Sequence, residues 1–145
     1  MSVSASATDQ AKAARVASRQ LQSLSTSERD RLLKNIASSL EKNASEIMRS
    51  NAEDIEAATN SSDVDQNLVA RLKLSSQKIA NLSNGLRALS EMEEPIGKVL
   101  ERTEIANGLD LSKVTSPLGV LLIIFESRPD ALVQICGLCI RTGNG

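Results

Sequence analysis

The amino-acid sequence predicts an α/β protein, on three observations along its 145 residues. Apolar residues recur at helical spacing from about residue 9 to residue 92. Two β-capable runs then flank the pair Asn107-Gly108, and a purely apolar run at residues 120–125 leads into another helical pattern. This order predicts an N-terminal helical layer, a β-hairpin and the first strand–turn–helix of an open α/β sheet.

The helical region, residues 9–94, is expected to contain five helices with a break at residues 60–63. Ser25 with Glu28, and Asn43 with Glu46, have capping-box spacing, and Ser75 is expected to cap the fifth helix. The faces expected to turn inward are Val16, Leu21 and Leu24; Leu32, Leu33, Ile36 and Leu40; Ala44, Ile47, Met48, Asn51 and Ile55; Leu68 and Leu72; and Ile79, Leu82, Leu86 and Leu89.

Residues 95–116 are predicted to form a β-hairpin. Its strands are expected at residues 98–105 and 109–115. Asn107-Gly108 between them suits a type I′ turn, in which both central residues take positive φ. A flexible loop containing Asn-Gly is the alternative.

The run at residues 120–125 has six apolar side chains without alternation, which is typical of a strand covered on both faces in a parallel sheet. The spacing becomes helical after Pro129, and Thr142-Gly143-Asn144-Gly145 is a helix stop. A strand–helix pair needs a second parallel strand to close a sheet. We therefore expect residues 117–145 to be the incomplete start of a larger domain, in which the unpaired strand promotes self-association.

Composition excludes several kinds of chemistry and partner. The chain has no His, so it contains no Ser–His or Cys–His pair and no imidazole metal ligand. A net charge of −1 without a basic stretch argues against a nucleic-acid partner. The apolar run is far shorter than the ~20 residues of a membrane helix. We expect an intracellular protein with no membrane or metal partner, whose residues 1–8 are disordered.

The turn at residues 125–130 is the leading candidate for a site. It joins the carboxyl end of the apolar run to the amino end of a helix, where ligands collect in open α/β sheets. A residue before proline avoids the α region, which favours Arg128 as N-cap and leaves the Ser127 hydroxyl free to face a cleft. A capping box between Ser127 and Asp130 is the alternative. No glycine-rich phosphate-binding motif occurs in the chain.

Three other motifs are interpreted as structural. Cys136-Gly137-Leu138-Cys139 has the spacing of a redox dithiol, but its position two turns inside a helix favours two buried, packed thiols. Glu91-Met92-Glu93-Glu94 is interpreted as a solvated helix end, and Arg29-Asp30-Arg31 as an exposed helix face.

Six short motifs, taken together, resemble one known family. They are Ser18-Arg19-Gln20-Leu21, Asn51-Ala52-Glu53-Asp54, Arg71-Leu72-Lys73-Leu74, Ser116-Pro117-Leu118-Gly119-Val120, Glu126-Ser127-Arg128-Pro129 and Arg141-Thr142-Gly143-Asn144-Gly145. The sequence resembles the γ-glutamyl phosphate reductases, in particular the reductase domain of bifunctional pyrroline-5-carboxylate synthase. The turn at residues 126–129 is the most specific of these motifs.

The resemblance implies an aldehyde-dehydrogenase-like Rossmann fold, with residues 95–116 as an oligomerisation hairpin. It implies an oxidoreductase that uses NADPH to reduce γ-glutamyl phosphate to glutamate 5-semialdehyde and phosphate in proline biosynthesis. A cytoplasmic or plastid homo-oligomer is expected. In the family the nucleophilic cysteine follows the matched part, so neither Cys136 nor Cys139 is assigned that role. These 145 residues alone are expected to be inactive.

The resemblance also implies roles for the turn. Ser127 matches the position where aldehyde dehydrogenases have an Asn that donates to the oxyanion. Ile124, Phe125 and Glu126 would line NADPH through their backbone, and Arg128 would bind the substrate phosphate or carboxylate. A surface salt bridge is the alternative for Arg128. The rival hypothesis for the whole chain is a non-catalytic helical interaction or oligomerisation module.

Overall fold

The chain was analysed as a computed structural model, which describes residues 6–61 and 65–145. In that part of the chain the elements are α1 (Ala7–Ser23), α2 (Thr26–Lys42), α3 (Ala44–Thr59), α4 (Gln66–Leu72), α5 (Ser76–Glu91), β1 (Val99–Ala106), β2 (Leu109–Val114) and α6 (Pro129–Thr142). The predicted α/β class is confirmed. Residues 1–5 of the terminus expected to be disordered, and residues 62 and 63 of the expected break, lie outside the described residues.

The helices begin where the sequence signals them, except for the cap of α3. Ser25 accepts from the Glu28 N–H and Glu28 accepts from the Ser25 N–H, which completes the predicted capping box of α2. Ser75 accepts from the Lys78 N–H at the start of α5. The second predicted capping box is wrong, because the Asn43 side chain donates back to the Ser39 carbonyl instead.

The core lies between α2, α5 and α6. Leu33, Ala37 and Leu86 are buried at its centre, and the partly buried apolar residues around them are Ile36, Leu40, Leu89, Val133 and Ile140. A Cβ atom on Gly137 of α6 would stand 2.5 Å from Leu86 Cδ2, so the missing side chain allows α6 to approach α5 closely. The stripes predicted for α2 and α5 therefore form the core, whereas Val16 of α1 is exposed.

Asn51 fixes the connection between α4 and α5. This α3 side chain is buried, and its Nδ2 donates to the Leu72 carbonyl at 2.9 Å. Its Oδ1 accepts from the Leu74 N–H at 2.8 Å. One buried amide thus satisfies backbone groups on both sides of Lys73, which holds the end of α4 against α3.

The predicted hairpin is confirmed. β1 and β2 pair antiparallel on either side of Asn107-Gly108. The predicted type I′ turn is wrong, because that turn needs positive φ at both central residues, and Gly108 has a φ of 76° whereas φ of Asn107 is not positive. Residues of both strands are exposed throughout. The hairpin therefore presents Val99, Ile105, Leu109, Leu111 and Val114 to solvent, and the alternative of a flexible loop is wrong.

The prediction of a buried strand at residues 120–125 is wrong for this chain. Leu122 and Ile124 are each 89% exposed, and within the described ranges the run pairs with neither β1 nor β2. Its backbone hydrogen bond lies at its beginning, where the Leu121 N–H donates to the Gly145 carbonyl at 2.7 Å. A central strand is buried by neighbouring strands and by layers on both faces, and the part of the chain described here supplies neither.

The two charged motifs interpreted as solvated instead contribute to buried ion pairs. Arg29 Nη2 lies 2.6 Å from Glu94 Oε2, and Arg141 Nη1 lies 2.6 Å from Asp30 Oδ1. Both arginines are almost fully buried, and Arg141 also donates to the Met92 carbonyl. These contacts hold α2 against the segment after α5 and against the end of α6.

No helix within residues 6–61 and 65–145 combines the length and apolar character needed to cross a membrane.

Candidate functional site

The candidate site surrounds the turn that enters α6. Arg128 is the N-cap of this helix and Pro129 begins it, as the sequence predicted. Ser127 takes a φ of 49°, in the left-handed region that residues other than glycine seldom occupy. The alternative capping box of Ser127 with Asp130 is wrong, because Ser127 lies outside the helix and no side chain caps it.

The Ser127 hydroxyl is available for a ligand. The residue is half-buried, and its hydroxyl has no hydrogen-bond partner among the residues that the structure describes. A left-handed backbone costs a non-glycine residue about 1–2 kcal/mol. Such strain is often kept at ligand-binding turns, where the surrounding structure holds it.

Ile124, Phe125 and Glu126 lie on the exposed segment before the turn. The backbone groups of residues 122–126 make no hydrogen bond within the described part of the chain. One hollow is lined by Pro129 and another by Arg128, and neither is lined by these three residues. The structure therefore places the predicted cofactor-lining residues on an open edge, apart from the predicted substrate-binding arginine.

The hollow beside Arg128 has a volume of about 540 Å³ and is predominantly cationic. Arg71 of α4, Lys78 of α5 and Arg128 line it together with Ala70 and Asp130. Arg128 Nη2 lies 3.7 Å from Asp130 Oδ2, which is an ion pair too long for a hydrogen bond. Sequence reasoning missed Arg71 and Lys78 as site residues, because nothing in the local pattern places two separate helices beside the turn.

The two cysteines do not form a reactive dithiol. Both are free, Cys136 is exposed and Cys139 is half-buried, so the prediction of two buried thiols is wrong for Cys136. Burial, followed by the neighbouring Cys136, raises the pKa of Cys139 above its ordinary value of 9.0. The Cys139 thiol is therefore protonated at neutral pH and is a poor nucleophile.

Comparison with known proteins finds relatives that match nearly the whole chain. The chain is 54% identical over 94% of its length to Δ1-pyrroline-5-carboxylate synthase from Mesembryanthemum crystallinum, covering 19% of that protein. It is 45% identical over 94% of its length to γ-glutamyl phosphate reductase from Synechococcus elongatus, covering 31% of that protein. The crystal structure of γ-glutamyl phosphate reductase from Saccharomyces cerevisiae matches 97% of the chain with a TM-score of 0.90 and 37% identity, over 36% of its own length.

The chain is a homologue of the γ-glutamyl phosphate reductases. The reductase structure from Thermotoga maritima agrees, with a TM-score of 0.87 and 31% identity over 94% of the chain. No protein-family model matches. The chain spans about a fifth of the plant synthases and about a third of the reductases that it matches. The resemblance inferred from the six sequence motifs is thus confirmed.

Proposed function

We propose that the chain forms the helical layer, the hairpin and the first turn of the cofactor domain in a γ-glutamyl phosphate reductase of proline biosynthesis. The proposed reaction is the NADPH-dependent conversion of γ-glutamyl phosphate to glutamate 5-semialdehyde and phosphate, in a cytoplasmic or plastid homo-oligomer. The strained Ser127, with its free hydroxyl, carries the proposal at the level of the site. Identity to the reductases over nearly the whole chain supports it independently.

In this proposal Ser127 stabilises negative charge on the reacting acyl oxygen. A hydroxyl donates one hydrogen bond. The backbone φ of 49° at Ser127 fixes the direction from which this residue approaches the substrate. A donor of this kind contributes about 3 kcal/mol of transition-state stabilisation. Arg128 would bind the anionic end of the substrate through charge-assisted hydrogen bonds, since its contact with Asp130 is long.

NADPH, when bound, supplies the hydride. This chain would contribute the segment from Ile124 to Glu126, whose unpaired backbone donors and acceptors are available to one side of the nicotinamide. One exposed edge does not enclose a dinucleotide, so the 145 residues alone should bind NADPH weakly or not at all and should not turn over. Neither cysteine is proposed as the nucleophile, in keeping with the protonated Cys139 thiol.

A chimera tests this proposal. The matching segment of the Synechococcus elongatus reductase is replaced by this chain, and NADPH formation from glutamate 5-semialdehyde, phosphate and NADP⁺ is followed by the absorbance of NADPH. We expect an active chimera. Ser127→Ala should lower kcat by about 100-fold, whereas Ser127→Asn should restore a donor and much of the activity.

Ser38→Ala on the exposed face of α2 is the matched control and should leave kcat unchanged. A chimera that folds, as judged by its circular dichroism and thermal melting, but lacks activity would contradict the proposal. Calorimetry on the isolated chain adds a second criterion. A micromolar NADPH affinity would refute the claim that this chain supplies only one edge of the cofactor site.

A non-catalytic interaction module is the second candidate, favoured by the exposed apolar residues of the hairpin and of the segment 120–125. Such a module needs no hydroxyl at Ser127. Retained assembly of a folded but inactive chimera would support the module. Activity that depends on Ser127 would exclude it.

A further inference from the structure

We propose that Arg71, Lys78 and Arg128 form an anion-binding pocket for the phosphate or carboxylate group of a small aliphatic acid. The pocket is the hollow of about 540 Å³ beside the turn that enters α6. This inference rests on the proposed function, in which Arg128 binds the anionic end of the substrate, and it adds Arg71, Lys78 and the groove beside them to that end of the site.

Each cation reaches the hollow from a different element. Arg71 lies in the last turn of α4, Lys78 in the first turn of α5, and Arg128 at the N-cap of α6. Buried Asn51 binds the Leu72 carbonyl and the Leu74 N–H, which fixes the backbone next to Arg71. The backbone next to Arg71 is therefore held in place without a ligand, which lowers the entropy lost on binding.

The hydrogen-bond donors of this pocket are largely unused. Lys78 Nζ donates once, to the Lys73 carbonyl at 2.7 Å, and an ammonium has three donors. Arg71 has no ion pair or hydrogen bond within residues 6–61 and 65–145. The one carboxylate lining the hollow, Asp130, lies 3.7 Å from Arg128. Two guanidinium groups and an ammonium facing a single carboxylate leave an excess of positive charge that suits an anion with several oxygens.

A neighbouring groove indicates what the anion is attached to. This groove, of about 450 Å³, lies between α5 and α6 and shares Lys78 and Asp130 with the pocket. It continues along Leu82, Leu86 and Val133. A ligand with a charged head and a short methylene chain can place its head among the cations and its chain in the groove, which favours an aliphatic acid.

The test is an NMR titration of the ¹⁵N-labelled chain with inorganic phosphate and, separately, with glutarate, a dicarboxylate with three methylene groups. We expect saturable shifts confined to the amides around Arg71, Lys78 and the start of α6. Arg128→Gln and Arg71→Gln should each raise Kd by about tenfold, since a charge-assisted hydrogen bond contributes about 1.5 kcal/mol. Arg102→Gln on the exposed hairpin is the matched control and should leave Kd unchanged.

The outcomes separate the sources of the anion and the two proposals. Saturation by phosphate alone, or by glutarate alone, identifies the group that the pocket recognises. Shifts that grow linearly and spread over Arg15, Arg19 and Arg102 would overturn the pocket, because they report general charge screening. In the chimera, Arg71→Gln should raise KM for the semialdehyde or phosphate with kcat unchanged. If the chimera is active and its Arg71→Gln variant keeps the same KM, the pocket alone is contradicted. If the chimera is inactive and anion binding is intact, the proposed function alone is contradicted.

Discussion

At the scale of single residues, Ser127 combines a strained backbone with the proposed chemistry. Ser127→Gly relieves a left-handed backbone that costs about 1–2 kcal/mol, while the flexible glycine loses about 0.5–1 kcal/mol more entropy on folding. Urea denaturation should therefore show an unfolding free energy that is unchanged or raised by about 1 kcal/mol. Ser38→Gly inside α2 should instead lower it by about 0.5 kcal/mol. A larger loss at Ser127 than at Ser38 would contradict the left-handed conformation.

Glu94 gives the chain a pH-dependent stability. Burial opposes its ionisation, but hydrogen bonds from Thr26, the Ile96 N–H and Arg29 outweigh burial and hold the pKa of Glu94 below 4.5. A carboxyl whose pKa is lower in the folded state stabilises the fold above its unfolded pKa, and this contribution is lost as pH falls through the folded value. Glu94→Gln should therefore cost about 1–3 kcal/mol at neutral pH, because Arg29 stays buried with a weaker partner.

The measurement is chemical denaturation of the native chain and of the Glu94→Gln variant from pH 7 to pH 3. The difference in unfolding free energy between the native chain and Glu94→Gln should begin to shrink as pH falls below about 4.5 and should level off below the folded pKa of Glu94, where residue 94 is uncharged in both proteins. Glu93→Gln is the control, because the Glu93–Lys98 pair is exposed and contributes little. A difference that stays constant across the whole range would rule out Glu94 as the titrating group.

Residue-level features were predictable where their partners are close in sequence. The capping box of Ser25 and Glu28 spans three residues, so the pattern alone revealed it. Arg29 and Glu94 are 65 residues apart, and a charged triplet on a helix looks the same whether it meets solvent or a buried carboxylate. The cationic pocket escaped prediction for the same reason, because only the packing of α4, α5 and α6 brings its residues together.

At the scale of elements, two helical glycines with opposite surroundings probe the packing of α5 against α6. Gly85 in α5 has no atom within 4 Å of an added Cβ, so Gly85→Ala should raise the unfolding free energy by about 1 kcal/mol through helix propensity. Gly137→Ala in α6 would bring Cβ to 2.5 Å from Leu86 Cδ2 and 3.1 Å from Leu89 Cδ1. Overpacking of this kind costs about 1–3 kcal/mol, which should offset or exceed the stabilisation that Gly137→Ala gains from helix propensity.

Thermal and urea denaturation of the two alanine variants compare them directly. Gly85→Ala should be the more stable of the two by at least about 1 kcal/mol. Equal stabilisation of both variants would show that α6 does not approach α5 as closely as described.

Helices and the hairpin were predictable as elements, and the apolar run was not. The stripes of α2 and α5 follow a helical period that each segment carries by itself, and Asn107-Gly108 specifies its own turn. A parallel strand exists only in relation to its neighbours. The sequence at residues 120–125 is therefore compatible with a central strand, but the described chain leaves that run exposed.

At the scale of the whole molecule, apolar surface is concentrated at two places outside the core. One is the hairpin, whose two strands form a sheet with both outer edges free in the part of the chain described here. The other is the segment 120–125, whose backbone from residue 122 onward makes no hydrogen bond to the residues that the structure describes. Exposed strand edges and contiguous apolar patches both favour association between chains.

We expect the chain to self-associate, with its average mass in sedimentation equilibrium rising with protein concentration. The double substitution Leu122→Lys with Ile124→Lys should shift the chain toward monomer, because each replaces a side chain that is 89% exposed with one that repels its copy. Leu111→Lys on the hairpin separates the contribution of the second surface, and Val16→Lys on exposed α1 controls for added charge. If the double variant associates as the native chain does and Leu111→Lys does not associate, the interface lies on the hairpin and the role of the segment 120–125 is contradicted. A native chain that stays monomeric at millimolar concentration would contradict association through either surface, because unpaired strand backbone then has no tendency to find a partner.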